Sequence, residues 1–333
     1  MNNMIYAGFI SSAPQWPWYR QFPDSIPTWD GVEFKFSGDF SDCDIVFVYD
    51  AIPDSVSEKI EAQRAVFVCS EPPNVKLYRS DFLRQFDKVL TSYEIKHPHT
   101  QIGQLGLPWL VGAYSSDGSL LKRPMLFNDF EVFEPRKTKL ISVVSSNKAF
   151  TPEHRQRLHF VEKLKSHFGE NLDYFGRNIN GFSDKLDVLS EYKYHISLEN
   201  CHLKNYWTEK LSDPILTLTY PIYYGCPNIN DYFPGNSITK INIADAPEAM
   251  EIIEGVIASN KYEASLDDMY SARQLILRQY NIFSMLSRVA AEQLKTAPGK
   301  RRPLTSENIL KERGNVGKSL KRKLARIFRK EII

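Results

Sequence analysis

Short apolar runs alternate with helix-patterned segments twice along this chain, and the alternation stops once between the two series. This pattern leaves few folds open. A strand that is apolar throughout needs cover on both faces, and a parallel sheet flanked by helices provides it. In the first series Met4–Ile10, Ile45–Tyr49, Ala65–Cys69 and Lys88–Ser92 are expected as buried strands, with Ser55–Gln63 and Leu77–Phe86 as helices between them. The stretch Tyr114–Pro135, with Ser-Ser-Asp-Gly and scattered Pro and Phe, reads as a connector. The second series is expected to place strands at Lys139–Ser145, Asp173–Phe175, Tyr194–Leu198 and Tyr220–Tyr224. Its expected helices are Pro152–Phe168, Asp184–Tyr192, Thr208–Leu216, Pro247–Ser259 and Leu266–Leu294. Leu158, Val161, Leu164 and Phe168 show the helical spacing. Two α/β domains are therefore expected, residues 1–135 and 136–298, with a ligand cleft between them and a tail at 299–333.

Bulk properties exclude some classes of function. A net charge of +2 over 333 residues does not suit a nucleic-acid binder. Cys43, Cys69, Cys201 and Cys226 show no C-x-x-C spacing, so neither a zinc knuckle nor a disulfide framework is expected, and a reducing compartment fits. No charged segment followed by an apolar one opens the chain, and no apolar run nears the roughly 20 residues of a membrane span. The expected location is the cytoplasm. The basic excess gathers in the tail, where Lys318, Lys321, Arg322, Lys323, Arg326, Arg329 and Lys330 accompany Val316, Leu320, Leu324, Ile327 and Phe328 near one helical face. Residues 316–330 read as a basic amphipathic helix suited to the inner face of an anionic membrane. The alternative is a solvated helix that packs on nothing.

The densest chemistry lies in residues 199–234. Glu199-Asn200 follows an apolar strand, and Tyr206, Thr208, Glu209 and Lys210 surround the start of the next helix. Strand ends beside helix N-termini are where open α/β sheets hold anionic nucleotides. A lysine in a helix's first turn is out of place unless an anion offsets it. Otherwise Glu209 and Lys210 are solvated surface charges. Ser145-Ser146-Asn147, followed by Arg155 and Arg157, is a second cluster past a strand. An arginine there can grip a phosphate bidentately, or it is an exposed helix residue. Glu71, held extended by Pro72, sits past a third strand, where it can accept a proton or serve only as a turn residue. Trp16 and Trp18 can stack on sugar faces or belong to the core.

These clusters resemble glycosyltransferase family 10, the α1,3/4-fucosyltransferases, and most closely its bacterial members that build surface polysaccharides. The family signature is matched by Leu198-Glu199-Asn200, Tyr206-Trp207-Thr208-Glu209-Lys210 and Pro221-Ile222-Tyr223-Tyr224-Gly225-Cys226-Pro227. The likeness also covers Val143-Val144-Ser145 with Arg157, Asp173–Phe175 with Gly176-Arg177, and Tyr232-Phe233-Pro234. It is dense over residues 139–240, and Glu71 is its main anchor in the first half. Two departures stand out. Val143-Val144-Ser145-Ser146-Asn147 displaces the usual asparagine by one position, and Pro72-Pro73 replaces Ser-Pro after the glutamate.

The resemblance implies a GT-B fold of two Rossmann-like domains facing a central cleft, and a single inverting displacement from GDP-fucose to a glycan hydroxyl. The acceptor would be an oligosaccharide or lipid-linked glycan such as lipopolysaccharide. Glu71 would be the general base. Arg157 and Lys210 would hold the diphosphate and Glu209 the ribose. Ser145, Asn147, Gly176, Arg177, Asn200, Tyr206 and Thr208 would complete the donor site, and Trp16 and Trp18 would lie toward the acceptor. No cofactor or metal is expected, since no Asp-x-Asp motif stands in the donor half. Alternatives are another GDP-6-deoxyhexose as donor, or a non-catalytic nucleotide-sugar-binding subunit.

Overall fold

The computed structural model describes residues 4–115, 117–145, 152–176 and 180–315. The two series of apolar runs form two separate sheets. Across the first, the order is Thr28–Trp29, Val32–Lys35, Ile5–Ser11, Ile45–Tyr49, Ala65–Val68, Lys88–Thr91 and Thr100–Ile102. Only Thr28–Trp29 runs antiparallel to its neighbour. The second sheet is parallel throughout, in the order Asp173–Phe175, Lys139–Val144, Tyr192–Leu198, Tyr220–Tyr224 and Thr239–Lys240. In both sheets the first strand of the series lies inside, so later strands add on both sides of it. The crevice beyond the carboxyl ends at that reversal is where such sheets bind ligands.

Burial on both faces explains why the strands are so apolar. Phe47, Val48, Val66 and Phe67 are fully buried, and they divide between two clusters on opposite faces of the first sheet. The Pro152–Phe168 helix opens on a proline, which suits the first turn because its missing N–H has no partner there anyway. It packs Phe160, Val161 and Leu164 against Ile141, Val143 and Ile196.

Four expected elements differ. Ser55–Gln63 is not a helix. Glu58 sits at φ +62°, which a helix does not tolerate, and its amide is taken by Leu304 O at 2.8 Å. Glu61–Ala62 instead pairs antiparallel with Arg302–Pro303. The helix expected over Leu77–Phe86 shrinks to Ser80–Leu83, because Lys76 and Arg79 are drawn into contacts with Asp50 and Glu307. Asp184–Tyr192 contracts to Lys185–Leu189 with Asp184 as its N-cap. Leu266–Leu294 is not one helix. Leu266–Gln274 passes into a π-helical turn at Leu275–Gln279 and stops, and Asn281 caps a new helix, Ile282–Gln293.

That last helix was expected to close the second half. It crosses back instead, burying Ile282, Phe283, Leu286 and Ala290 against Phe9, Phe22 and Phe34 of the first sheet. Asn281 Nδ2 fixes the crossing by donating to Gln21 O at 2.7 Å. The tail follows: Arg302–Pro303 and the helical residues 307–315 lie on the first half, where Arg313 meets Glu58 at 2.8 Å. The proposed membrane helix at 316–330 lies outside the described residues. No helix among the described residues is long and apolar enough to cross a membrane.

The connector and the residues from Trp109 that lead into it are built into the seam between the halves. Buried Arg20 donates to the carbonyls of Trp109, Val111 and Met125. The Asp184 carboxylate accepts the amides of Gly112, Ala113 and Tyr114 at 2.7–2.8 Å.

Candidate active site

The strand Tyr192–Leu198 sorts its side chains by the two-residue period. Tyr194, Ile196 and Leu198 enter the core shared with Ala249, Ile253 and Val256, while His195, Ser197 and Glu199 point to the opposite face. Glu199 is fully buried and accepts from Thr208 N at 2.8 Å and from Thr208 Oγ1 at 2.9 and 3.1 Å. Thr208 in turn caps the Glu209–Leu216 helix by accepting from Lys210 N. Glu199 therefore staples the strand end to the helix start. Gly225 is required beside it, since a Cβ there would collide with Glu199 Cγ and Tyr223 Oη.

The start of the helix brings five ionisable groups together. Lys210 Nζ lies 3.0 Å from Glu209 Oε1 and 3.9 Å from Glu199 Oε2. Lys185 Nζ lies 3.4 Å from Glu209 Oε1 and 2.9 Å from Asp213 Oδ2. Glu209 and Lys210 are thus not surface charges, with side chains only 21% and 26% exposed. Burial opposes ionisation of Glu209, yet Lys210 and Lys185 overcome it and hold the carboxyl well below the ordinary range. Burial likewise opposes charge on Lys210, and Glu209 and Glu199 more than restore it. For Glu199 burial prevails and raises the carboxyl, against the pull of Lys210.

Arg157 reaches the same place from the Pro152–Phe168 helix. It is buried, and its guanidinium donates to Asn200 Oδ1. Arg157, Asn200, Lys185, His195, Glu209 and Lys210 line a cavity of about 230 Å³ at the tip of the second sheet. His195 is pulled down to about 3 by burial and by the Lys185 ammonium, so it is neutral. Ser142 Oγ donates to Val188 O at 2.8 Å, so its lone pair receives His195 Nδ1–H, also at 2.8 Å. That assignment leaves Nε2 as an acceptor on the cavity side.

Ser145 and Gly176 stand at the tips of neighbouring strands, with Ser145 N bonded to Phe175 O at 3.0 Å and Gly176 N to Asn180 O at 3.0 Å. Asn147 and Arg177 lie outside the described residues. Tyr206 is buried, and its hydroxyl donates to Ser70 O of the first half at 3.4 Å. Asn74 Nδ2 also crosses, to Asn200 O at 3.3 Å. The two sheet tips are tied together at these points.

On the first sheet Glu71 follows the strand Ala65–Val68, half-buried. Burial raises its carboxyl, Asp50 adds to the rise, and Lys210 across the cleft opposes it. Trp16 and Trp18 are both buried in the first core. Trp18 packs edge-on against Phe9 and Tyr49 and, with Phe36, Phe40, Val56 and Ile60, walls a second cavity of about 330 Å³. Among the described residues no group of three or more His, Cys, Asp or Glu is placed to hold a metal ion.

Sequence reasoning missed Asp50, Lys185, His195 and Asp213. Polar residues at every second position of a buried strand signal His195, and the i, i+4 spacing of Glu209 and Asp213 signals a shared helix face. Lys185 and Asp50 carry no such local mark.

Residues 134–266 match the family model described as Glycosyltransferase family 10 (fucosyltransferase) C-term. Among curated proteins, the chain is similar to alpha-(1,3)-fucosyltransferase B of Drosophila melanogaster, 39% identical over 77 residues, covering 23% of this chain and 17% of the relative. It is 31% identical over 138 residues to 4-galactosyl-N-acetylglucosaminide 3-alpha-L-fucosyltransferase 9 of Mus musculus, covering 39% of this chain and 37% of the relative. The matched segments thus span well under half of these relatives. Among solved structures, an alpha1,3-fucosyltransferase with GDP-fucose aligns at 18% identity and a TM-score of 0.45, over 83% of this chain and 92% of the other. The family match falls on the segment that carries Arg157, Asn200, Glu209 and Lys210.

Proposed function

We propose that this protein is an inverting glycosyltransferase of GT-B architecture that moves fucose from GDP-fucose to a hydroxyl of a glycan, in α1,3 linkage. The observation that carries the reading is that Glu71, at the tip of one sheet, lies within electrostatic reach of Glu209 and Lys210, which line one cavity with Arg157 at the tip of the other. In this scheme the Glu71 carboxylate takes the proton of the acceptor hydroxyl as that oxygen attacks C1 of fucose. The bond from C1 to the diphosphate breaks on the opposite face, and GDP leaves with the electron pair. Arg157 and Lys210 stabilise the charge that builds on the departing diphosphate. Glu209, kept ionised by its two lysines, accepts hydrogen bonds from the ribose hydroxyls.

The raised Glu71 carboxyl suits a proton acceptor, since it holds a proton more readily than an ordinary carboxylate. The acceptor is proposed to be a lipid-linked or lipopolysaccharide glycan at the inner face of a membrane, with residues 316–330 as the docking segment. The test is a donor screen read by mass spectrometry, with several GDP-6-deoxyhexoses against a panel of oligosaccharides. Transfer from GDP-fucose with inverted anomeric configuration supports the reading. Turnover of another GDP-sugar but not of GDP-fucose would sink the fucose assignment.

A further inference from the structure

Next to Glu71 stands a group of side chains that the transfer scheme leaves without a task. Asp50 directly follows the strand Ile45–Tyr49, which pairs with the Ala65–Val68 strand leading to Glu71. Its backbone is left-handed, with φ +65°. That conformation is uncommon outside glycine, and it persists where the surroundings fix it. Here they do. Asp50 N donates to Val68 O at 3.1 Å, and Lys76 Nζ donates to Asp50 O at 3.0 Å and to Asp50 Oδ1 at 2.8 Å. The Tyr78 hydroxyl gives its proton to Asp50 Oδ1 at 2.8 Å. Only lone pairs then remain on that hydroxyl, and it accepts the Glu71 amide at 3.4 Å. The Lys76 ammonium lies over the Tyr78 ring, 4.7 Å from its centroid. Its neighbours Val75 and Leu77 point to solvent, so of these three residues Lys76 turns inward.

We propose that Asp50 is a positioning residue for Glu71: through Tyr78 and Lys76 it orders the loop that carries the base, and its charge beside the Glu71 carboxylate makes that group a better proton acceptor. The proposal rests on the reading of Glu71 as the base. The groups that face Glu71 are Asp50, Tyr49 and Lys76 from its own half, and Tyr206, Glu209 and Lys210 from the other. After burial, Asp50 does most to raise the Glu71 carboxyl, with Glu209 adding and Lys210 and Lys76 opposing. Asp50 itself stays ionised despite burial, because Lys76, Tyr78 and Ser70 hold its carboxyl below the ordinary range. A pair of acids driven apart in this way assigns one the fixed charge and the other the travelling proton.

The test uses the full chain with glutamate labelled at the carboxyl carbon, the Glu71 signal being assigned by its loss in Glu71→Gln. Asp50→Asn keeps the shape and the tolerance for left-handed backbone and removes only the charge. The Glu71 titration midpoint, and with it the acid limb of kcat/KM, is expected to fall by roughly one pH unit while the donor KM holds. An unmoved midpoint overturns the electrostatic role, whether or not fucose is transferred. Tyr78→Phe keeps the charge and cuts the bridge; kcat is expected to fall several-fold with midpoint and donor KM unchanged. An unchanged kcat overturns the ordering role, and full transfer by Glu71→Gln would overturn the base assignment instead.

Discussion

Two glutamates face the cleft from opposite sides, and their surroundings drive them in opposite directions. Glu71, on the first half, has Asp50 as its largest influence after burial, and its carboxyl is raised. Glu209, on the second half, is buried more deeply, but Lys185 and Lys210 flank it and its carboxyl is lowered. Burial acts the same way on both, so the neighbours decide. The half with an acid beside its glutamate can move a proton. The half with two ammoniums beside its glutamate can hold a polar, anionic ligand. That division of labour matches what transfer from a nucleotide sugar requires.

The comparison can be broken most forcefully at Glu71. Glu71→Gln should lower kcat by about 10²- to 10⁴-fold while GDP binds as before in calorimetry. A parallel loss of GDP affinity would place Glu71 in the donor site and dissolve the contrast. Next in size is Asp184→Asn, which targets the seam that sets the halves against each other. The amide has one acceptor oxygen where the carboxylate has two, so the amides of Gly112, Ala113 and Tyr114 no longer all have a partner. Unfolding in denaturant should show a loss of about 3 kcal/mol.

Lys210→Met should weaken GDP binding about 10- to 100-fold. It should also let the Glu209 carboxyl rise toward its ordinary range, which sharpens the claim that lysines account for the difference. The smallest effect is expected at His195, which is neutral in the folded protein at about 3 and above. An unfolded histidine takes its proton near about 6.5, so the folded state loses stability as pH falls from there toward the folded value. His195→Gln should therefore flatten the decline of Tm between pH 6 and 4.

Legibility in the sequence differed between the halves in the same way. The strands Asp173–Phe175 and Tyr220–Tyr224 and the helix Pro152–Phe168 lie where the apolar spacing puts them. Glu199, Asn200, Arg157, Glu209 and Lys210 were all singled out from that half, and they meet around one cavity apart from Glu199, which braces its floor. In the first half the four buried strands were legible, but the outer strands Thr28–Trp29, Val32–Lys35 and Thr100–Ile102 and the helices were not. Glu58 and Lys76 bond to partners far along the chain, which no local pattern records. Asp50 escaped notice for the same reason: nothing near it in sequence marks a left-handed residue held by four hydrogen bonds.

The sequence by itself determined that there are two sheets built around parallel strands, that a charged cluster closes one of them, and that Arg157, Asn200, Glu209 and Lys210 belong to that cluster. Those follow from periodicity and from residues close together along the chain. Only the tertiary structure decided that Ile282–Gln293 returns to the first sheet, that Tyr206 and Asn74 tie the two tips, and that Glu71 and Glu209 titrate in opposite senses. Those outcomes depend on burial and on charges brought in from distant segments, and Coulombic interaction depends on distance in space, not on separation along the chain.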